Sequence, residues 1–232
     1  MRRYKGIFFD LDNTLYDFMA SSREAYREVY TMMDYGRYFD SFESYFAIYQ
    51  KRNDELWTLY NHAQITKDQL NAERYLHPLQ VAGVKDAEEI SKRFFAEAMK
   101  VLPTKGILRP YAREILDYLR PRYPLFILSN GFVELQTRKM QSAGILDYFD
   151  GIVLSEDIGI NKPNKALFDH ALAVAHAKAE DSLMIGDDFD VDIVGAKEAG
   201  WDQLFYQIKP LDTVPFSPTY TIHSLKEIEG IL

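Results

Sequence analysis

The chain has 232 residues and a net charge of −8, because 35 acidic residues outnumber 27 basic ones. Hydrophobic residues make up 47% and charged residues 27%, which is typical of a globular protein rather than a disordered or fibrous one. The absence of cysteine excludes disulfides and thiolate zinc sites, and the acidic balance argues against a binder of nucleic-acid polymers or anionic membranes. No apolar stretch approaches the length of a membrane helix, and we expect a cytoplasmic protein.

A short apolar strand is predicted at residues 5–9, and a long polar and aromatic segment follows it. In this segment, capping signals at Ser21, Thr66 and Asp86 each predict the start of a helix. Aromatic residues at helical spacing over residues 39–62 predict a further helix. We therefore expect about four helices and no strand in this part of the chain.

Beyond residue 105 the pattern changes to short apolar runs that alternate with helices. Further strands are predicted at residues 124–128, 151–154, 182–185 and 202–206, and a short strand and helix are predicted near the end of the chain. This alternation predicts an α/β fold, a Rossmann-like parallel sheet with helices on both faces. Since the first strand belongs with the later ones, we expect an α/β core of residues 1–16 and 106–232, with an all-helical insertion at residues 17–105.

Four polar clusters follow the predicted strands, and the carboxyl ends of parallel strands meet at one edge of a sheet. The clusters are Asp10 with Asp12, Ser129 with Asn130, Lys162, and Asp187 with Asp188. Taken alone, each has an ordinary explanation as a turn, a helix cap or a surface lysine. Taken together, they combine carboxylates for a cation with a lysine and a hydroxyl for an anion.

Three of these carboxylates, Asp10, Asp12 and Asp187, would repel one another at one edge unless a cation lay among them. Oxygen ligands without histidine or cysteine favour Mg²⁺. A Mg²⁺ site beside a lysine and a serine suits a phosphoryl group, and an aspartate can then act as a nucleophile toward phosphorus. The residues therefore predict phosphoryl chemistry.

The sequence resembles the haloacid dehalogenase superfamily, whose four motifs match residues 10–14, Ser129, Lys162 and residues 186–192 in the same order. The resemblance covers the whole chain. The insertion after the first motif is similar to the all-helical cap that one branch of this superfamily carries there. The resemblance implies a hydrolase whose cap sets substrate specificity.

The resemblance also implies a role for each matching residue. Asp10 would be the nucleophile and a Mg²⁺ ligand. Asp12 would protonate the leaving oxygen, later take a proton from the hydrolytic water, and offer its backbone carbonyl to the metal. Asp187 would complete the protein ligands. Ser129 and the backbone N–H groups around Asn130 would bind the phosphoryl oxygens.

The remaining matching residues, Lys162, Asp192 and Asp188, would act beside the metal ligands rather than as ligands. Lys162 would neutralise the phosphoryl group and the nucleophile, and Asp192 would orient Lys162 or a metal-bound water. Asp188 departs from the serine often found after Gly-Asp in this branch, and it is either an additional acid behind the ligands or the N-cap of the next helix. An acid at position 12 favours phosphoryl transfer over dehalogenation, because a halide leaves without a proton.

The substrate is indicated by the segment that leads into the insertion. Residues 12–18 resemble the pyrimidine 5'-nucleotidase-like members of this branch. Nine of the 16 tyrosines lie in residues 16–75, where they could stack on a nucleobase or pack the core of the insertion. We expect a Mg²⁺-dependent phosphomonoesterase for a small phosphate ester, nucleoside 5'-monophosphates ahead of sugar phosphates, that acts as a monomer or homodimer. A phosphosugar mutase with the same nucleophile and a non-catalytic binding module are the alternatives.

Overall fold

The computed structural model of the protein describes residues 4–211 and 213–232. The described chain forms two compact units. One unit combines residues 4–18 with residues 106–232, and the other comprises residues 19–105. Among the described residues, none of the helices has the length and apolar character needed to cross a membrane.

The larger unit is built on one parallel sheet. Its strands within the described residues are β1 (Gly6–Phe9), β2 (Leu125–Ser129), β3 (Gly151–Leu154), β4 (Ser182–Gly186), β5 (Asp202–Tyr206) and β6 (Tyr220–Ile222). Their spatial order is β3-β2-β1-β4-β5-β6. The first strand of the chain therefore lies inside the sheet, between β2 and β4, and the strand order reverses beside it.

Helices cover both faces of this sheet. The α-helices of the described chain are α1 (Phe18–Met32), α2 (Phe42–Asn61), α3 (Lys67–Val81), α4 (Ala87–Val101), α5 (Ala112–Leu119), α6 (Val133–Ser142), α7 (Lys165–Ala175) and α8 (Val194–Glu198). Successive side chains of a strand point to opposite faces. Ile7 and Phe9 accordingly pack in a core with residues of α5 and α6, whereas Phe8 packs in a second core with residues of α7 and α8. The predicted Rossmann-like α/β fold is confirmed.

The smaller unit is all helical, and it contains most of α1 together with α2, α3 and α4. The capping box predicted at Thr66 is present, since Thr66 Oγ1 accepts a hydrogen bond from the Gln69 N–H and the Gln69 side chain accepts one from the Thr66 N–H. The start predicted at Ser21 is wrong, because α1 already begins at Phe18. The hydroxyl of Ser22 donates back to the Met19 carbonyl at 3.2 Å, which is a bond made inside a helix rather than at its cap.

Tyrosine side chains pack the core of the helical unit. The buried ones are Tyr26, Tyr35, Tyr45, Tyr49 and Tyr75. The hydroxyl of Tyr26 lies 2.9 Å from that of Tyr75 and 3.2 Å from that of Tyr49, and its ring meets both of theirs edge to face. For these five tyrosines the structure favours core packing over nucleobase stacking.

The hydroxyl network predicts that two tyrosine-to-phenylalanine changes differ in effect. Tyr26→Phe should lower the free energy of unfolding by about 1–2 kcal/mol, because it takes a hydrogen-bond partner from two other buried hydroxyls. Tyr45→Phe should leave that free energy unchanged or raise it, because the buried Tyr45 hydroxyl has no hydrogen-bond partner among the described residues. Urea unfolding midpoints at constant m-value would measure both, and equal losses would contradict the prediction.

Candidate active site

The carboxyl ends of the central strands bring the predicted polar residues to one edge of the sheet. Asp10 follows β1, Ser129 ends β2 and Asp187 follows β4. In the β1–β4 register, Phe9 is aligned with Ile185, and the N–H of Asp10 continues the ladder by donating to the Ile185 carbonyl at 2.9 Å. The convergence expected from the sequence is therefore present for these residues.

Lys162 is the buried cation of this edge. Its Nζ donates to Asp10 Oδ1 at 2.7 Å, to Asp192 Oδ1 at 2.7 Å and to the Leu128 carbonyl at 2.8 Å. An ammonium group has three donors, so all of them are used. Burial by itself lowers the pKa of Lys162, but the attraction of Asp10 and Asp192 outweighs it, and the pKa lies above its usual value. Lys162 is therefore held as a cation against Asp10.

The loop that carries Lys162 is fixed by Asn130. The Asn130 side chain accepts a hydrogen bond from the Lys162 N–H at 2.8 Å and donates one to the Lys162 carbonyl at 3.0 Å. These two bonds tie the end of β2 to the lysine. The sequence indicated a role for the backbone around Asn130, and this use of the Asn130 side chain was not predicted from it.

Three carboxylates form a cluster beside Lys162. One side-chain oxygen from each of Asp10, Asp187 and Asp192 lies within 4.8 Å of the others. Burial raises the pKa of Asp187 well above its usual range, and the charges of Asp10 and Asp192 raise it further. Burial likewise raises the pKa of Asp192 to about 7, although Lys162 counteracts it. Three carboxylates against one ammonium leave an excess of negative charge that a cation would balance.

The donor set of this cluster fits a hard divalent cation. All its side-chain donors are oxygens, as Mg²⁺ prefers. Both oxygens of Asp192 are engaged, Oδ1 by Lys162 and Oδ2 by the Asp188 N–H at 3.2 Å. The hydroxyl of Thr14 donates to Oδ1 of Asp187 at 2.9 Å and so orients that carboxylate. Oδ2 of Asp187 is therefore the oxygen that we favour as the metal ligand. The contacts thus favour Asp10 and Asp187 as ligands, with Asp192 acting on Lys162.

Asp188 has the capping role that was one of its two predicted alternatives. Its Oδ1 accepts hydrogen bonds from the N–H groups of Asp190 and Val191, each at 3.0 Å, at the start of the π-helical turn Phe189–Ile193. Gly186 is required nearby, because a Cβ there would lie 2.2 Å from Asp192 Oδ2. The loop after β4 is therefore shaped around Asp192.

The hydrogen-bond partners of Asp12 differ from those of the three-carboxylate cluster. Its carboxylate accepts from Lys139 Nζ at 2.8 and 3.0 Å and from Gln136 Nε2 at 3.0 Å. Gln136 also donates to Ser129 Oγ at 2.7 Å. Neither of these two α6 residues was predicted from the sequence. The one available signal was their spacing, since residues three apart share a helix face and these two lie beside apolar Leu135 and Met140.

Comparison with known proteins identifies the family of this chain. A sequence profile of the haloacid dehalogenase-like hydrolases matches residues 4–200. The chain belongs to this family. The match spans most of the chain, so the resemblance stated from the motifs is confirmed, and this protein is an enzyme of the hydrolase class.

Relatives of this hydrolase are similar over most of their length. It is 32% identical to the pyrimidine 5'-nucleotidase YjjG of Escherichia coli (strain K12), over 99% of this chain and 98% of the relative. It is 31% identical to a glyceraldehyde 3-phosphate phosphatase of Methanothermobacter thermautotrophicus, over 84% and 82%. The crystal structure of the HAD-hydrolase YfnB of Bacillus subtilis, bound to magnesium, superposes with a TM-score of 0.88 at 27% identity and 99% coverage of both chains.

Proposed function

We propose that this hydrolase is a Mg²⁺-dependent phosphomonoesterase that hydrolyses small phosphate esters through a phosphoryl-Asp10 intermediate. The observation that carries the proposal is the contact of Asp10 Oδ1 with the buried Lys162 ammonium, at 2.7 Å, beside two further carboxylates. A carboxylate held next to a fixed cation is suited to attack a dianionic phosphoryl group, because the cation offsets the repulsion between the two anions.

In the first step, an oxygen of Asp10 forms a bond to phosphorus while the bond from phosphorus to the ester oxygen breaks. Asp12 in its protonated form donates its proton to that leaving oxygen, and the alcohol departs. The Ser129 hydroxyl donates to a phosphoryl oxygen, and the positive charge of the Lys162 ammonium, held against Asp10, offsets the negative charge of the phosphoryl group. Bound Mg²⁺, held by Asp10, Asp187 and the Asp12 carbonyl, would supply electrostatic stabilisation of the transferring phosphoryl group.

In the second step, the Asp12 carboxylate takes a proton from a water molecule whose oxygen bonds to phosphorus. The bond between phosphorus and Asp10 breaks, inorganic phosphate is released, and Asp10 returns as a carboxylate. Asp192 keeps Lys162 aimed at Asp10 through both steps, since its Oδ1 lies 2.7 Å from Nζ. Every proton is thereby accounted for by Asp12, the alcohol and water.

Nucleoside 5'-monophosphates are the proposed substrates, and sugar phosphates come second. The resemblance of residues 12–18 to pyrimidine 5'-nucleotidases and the YjjG relative support the first class, and the glyceraldehyde 3-phosphate phosphatase supports the second. We propose that residues 17–105 form the cap that selects among these esters. The buried tyrosines of that unit are already used in its core, so selection falls to other side chains of the cap.

Phosphate release from a panel of nucleotides and sugar phosphates tests the proposal. We expect turnover with Mg²⁺, and loss of turnover with a chelator that is reversed by added Mg²⁺. Nucleotides ranked last would contradict the nucleotidase proposal. Release from no ester, combined with isomerisation of a sugar phosphate, would replace it with the mutase.

Metal binding also has a readout that does not depend on turnover. Mg²⁺ at about 100 times its dissociation constant should stabilise the folded protein by about 2.7 kcal/mol, measured as a rise in the thermal midpoint. The rise should be smaller in Asp187→Asn and unchanged in Asp190→Asn, whose exposed carboxylate lies outside the three-residue cluster. An equal rise in all three proteins would contradict the ligand assignment.

A further inference from the structure

We infer that Gln136 and Lys139 of α6 are positioning residues for the reaction. Together they fix the carboxylate of Asp12 and make Ser129 a hydrogen-bond donor toward the phosphoryl group. This inference rests on the proposed phosphomonoesterase function. Neither residue belongs to the motifs from which the site was recognised.

Lys139 fixes the plane of the Asp12 carboxylate. Its ammonium contacts both oxygens, at 2.8 and 3.0 Å, and its side chain is only 3% exposed, whereas that of Asp12 is 25% exposed. The ammonium also lies 5.5 Å from the Tyr16 ring centre and 5.0 Å from that of Phe18. A buried cation with one bidentate carboxylate partner restricts that carboxylate to one orientation, and the exposed part of Asp12 stays available to a reactant.

Gln136 links Asp12 to Ser129 through one amide nitrogen. Nε2 donates to Asp12 Oδ2 at 3.0 Å and to Ser129 Oγ at 2.7 Å, and the side chain is fully buried. Asp12 Oδ2 can only accept a hydrogen bond, both when Asp12 is ionised and when it carries its proton on Oδ1, so the amino end of the amide must face it. The same nitrogen then necessarily presents its second hydrogen to the serine.

Ser129 is left with one use for its hydroxyl. Its oxygen accepts from Gln136 Nε2 and from the Gly131 N–H at 3.1 Å. A hydroxyl has two acceptor lone pairs and one proton, so both acceptor positions are filled and the proton remains for donation. The phosphoryl oxygens of the proposed substrate only accept. Gln136 thus orients the serine as a donor before substrate binds.

The backbone of the site leaves room for this amide. A Cβ at Gly131 would lie 2.0 Å from Gln136 Nε2, so a side chain at that position would displace the amide. Gln136 and Lys139 are three residues apart and share a face of α6, which begins four residues after the end of β2. One helix face therefore delivers both groups to the edge where β1 and β2 end.

The inference is tested by the dependence of kcat/KM on the leaving group in Lys139→Met and Gln136→Leu. The series runs from p-nitrophenyl phosphate, whose phenolate leaves without a proton, to a nucleoside 5'-monophosphate, whose alcohol needs one. In Lys139→Met we expect a loss of about 10- to 100-fold for the nucleotide and under about 3-fold for the aryl ester, because a displaced Asp12 protonates the leaving oxygen poorly. In Gln136→Leu the aryl ester should itself lose about 5- to 10-fold, because its phosphoryl group loses the Ser129 donor, and the nucleotide should lose about 10-fold more than the aryl ester. If the two residues had a merely structural role, kcat/KM would fall by the same factor for all esters. That outcome, or no loss of kcat/KM at all, would overturn the inference.

The affinity for inorganic phosphate, measured by calorimetry with Mg²⁺ present, separates the two residues. Gln136→Leu should weaken it about 5- to 10-fold, because Ser129 is no longer oriented as a donor, whereas Lys139→Met should leave it unchanged. Equal phosphate affinity in Gln136→Leu and the unmodified protein would overturn the serine part of the inference.

Two further variants distinguish failure of this inference from misfolding of the variants and from failure of the proposed function. Asp12→Asn/Lys139→Met removes both charges of the buried pair, and its leaving-group dependence should equal that of Asp12→Asn alone. Arg138→Met alters the exposed neighbour on the same helix and should leave the dependence unchanged. If the unmodified protein releases phosphate from no ester, the proposed function and this inference both fail; if only the variants lose all esters equally, this inference alone fails.

Discussion

Asp10→Asn should reduce phosphate release by at least about 10⁴-fold with every ester, because a neutral amide cannot form the bond to phosphorus that the carboxylate forms. The change should not destabilise the fold. Asn can still accept the hydrogen bond that Lys162 donates at 2.7 Å, and loss of one charge relieves the repulsion among the three carboxylates of the cluster. We therefore expect an inactive protein with an unchanged or higher thermal midpoint.

The matched control for this prediction is Asp190→Asn. Asp190 is exposed in the π-helical turn Phe189–Ile193, and its change should leave turnover within about 2-fold. If Asp10→Asn lowered the thermal midpoint, unfolding would explain the loss of activity. Substantial residual turnover would show that phosphorus is attacked by another group, such as water, and would contradict a phosphoryl-Asp10 intermediate.

Lys162→Met should strongly destabilise the fold of the larger unit. Lys162 is 1% exposed and bridges Asp10 and Asp192, so its removal leaves two buried carboxylates without their counter-cation. Breaking a buried ion pair by removing one partner costs about 3–5 kcal/mol of the free energy of unfolding. Turnover should fall by about 10³-fold in whatever fraction stays folded, because the phosphoryl group loses a cation.

Lys165→Met is the control for Lys162→Met. Lys165 lies three residues further along the chain and pairs with Asp169 on the surface, where both side chains are about half exposed (54% and 51%). Surface pairs contribute about 0–1 kcal/mol, so the thermal midpoint should barely move. Similar destabilisation by both changes would contradict the argument that burial makes the Lys162 pairs decisive. Thermal and urea unfolding of the two variants would settle the comparison.

The sheet was predictable because each of its central strands is marked by a recognisable pattern in the sequence. A parallel strand covered on both faces is a short, continuous apolar run, as in residues 6–9 and 151–154, and a polar residue that follows it directly lies at the carboxyl edge. The first residues of the helices were predicted less accurately. The signal at Ser21 was overridden because Phe18 already begins α1, whereas the Thr66 signal stands at a true helix start.

Position in the sequence could not assign every acidic residue its partner. Asp188 and Asp192 both belong to the last motif, yet one caps a turn and the other contacts Lys162. The turn at Phe189–Ile193 is π-helical, so residue spacing alone does not indicate which carboxylate faces inward.

The sequence by itself determined the fold class and the chemical types at the site, because both depend on local patterns: apolar runs, helical spacing and the residues that directly follow a strand. Only the tertiary structure decided which groups touch. Lys139 contacts Asp12 across 127 positions of the chain, and Gln136 contacts it across 124. Such contacts depend on which face of α6 packs against the sheet and on how the loops after β2, β3 and β4 are arranged. These are properties of packing among distant segments, and no local pattern encodes them.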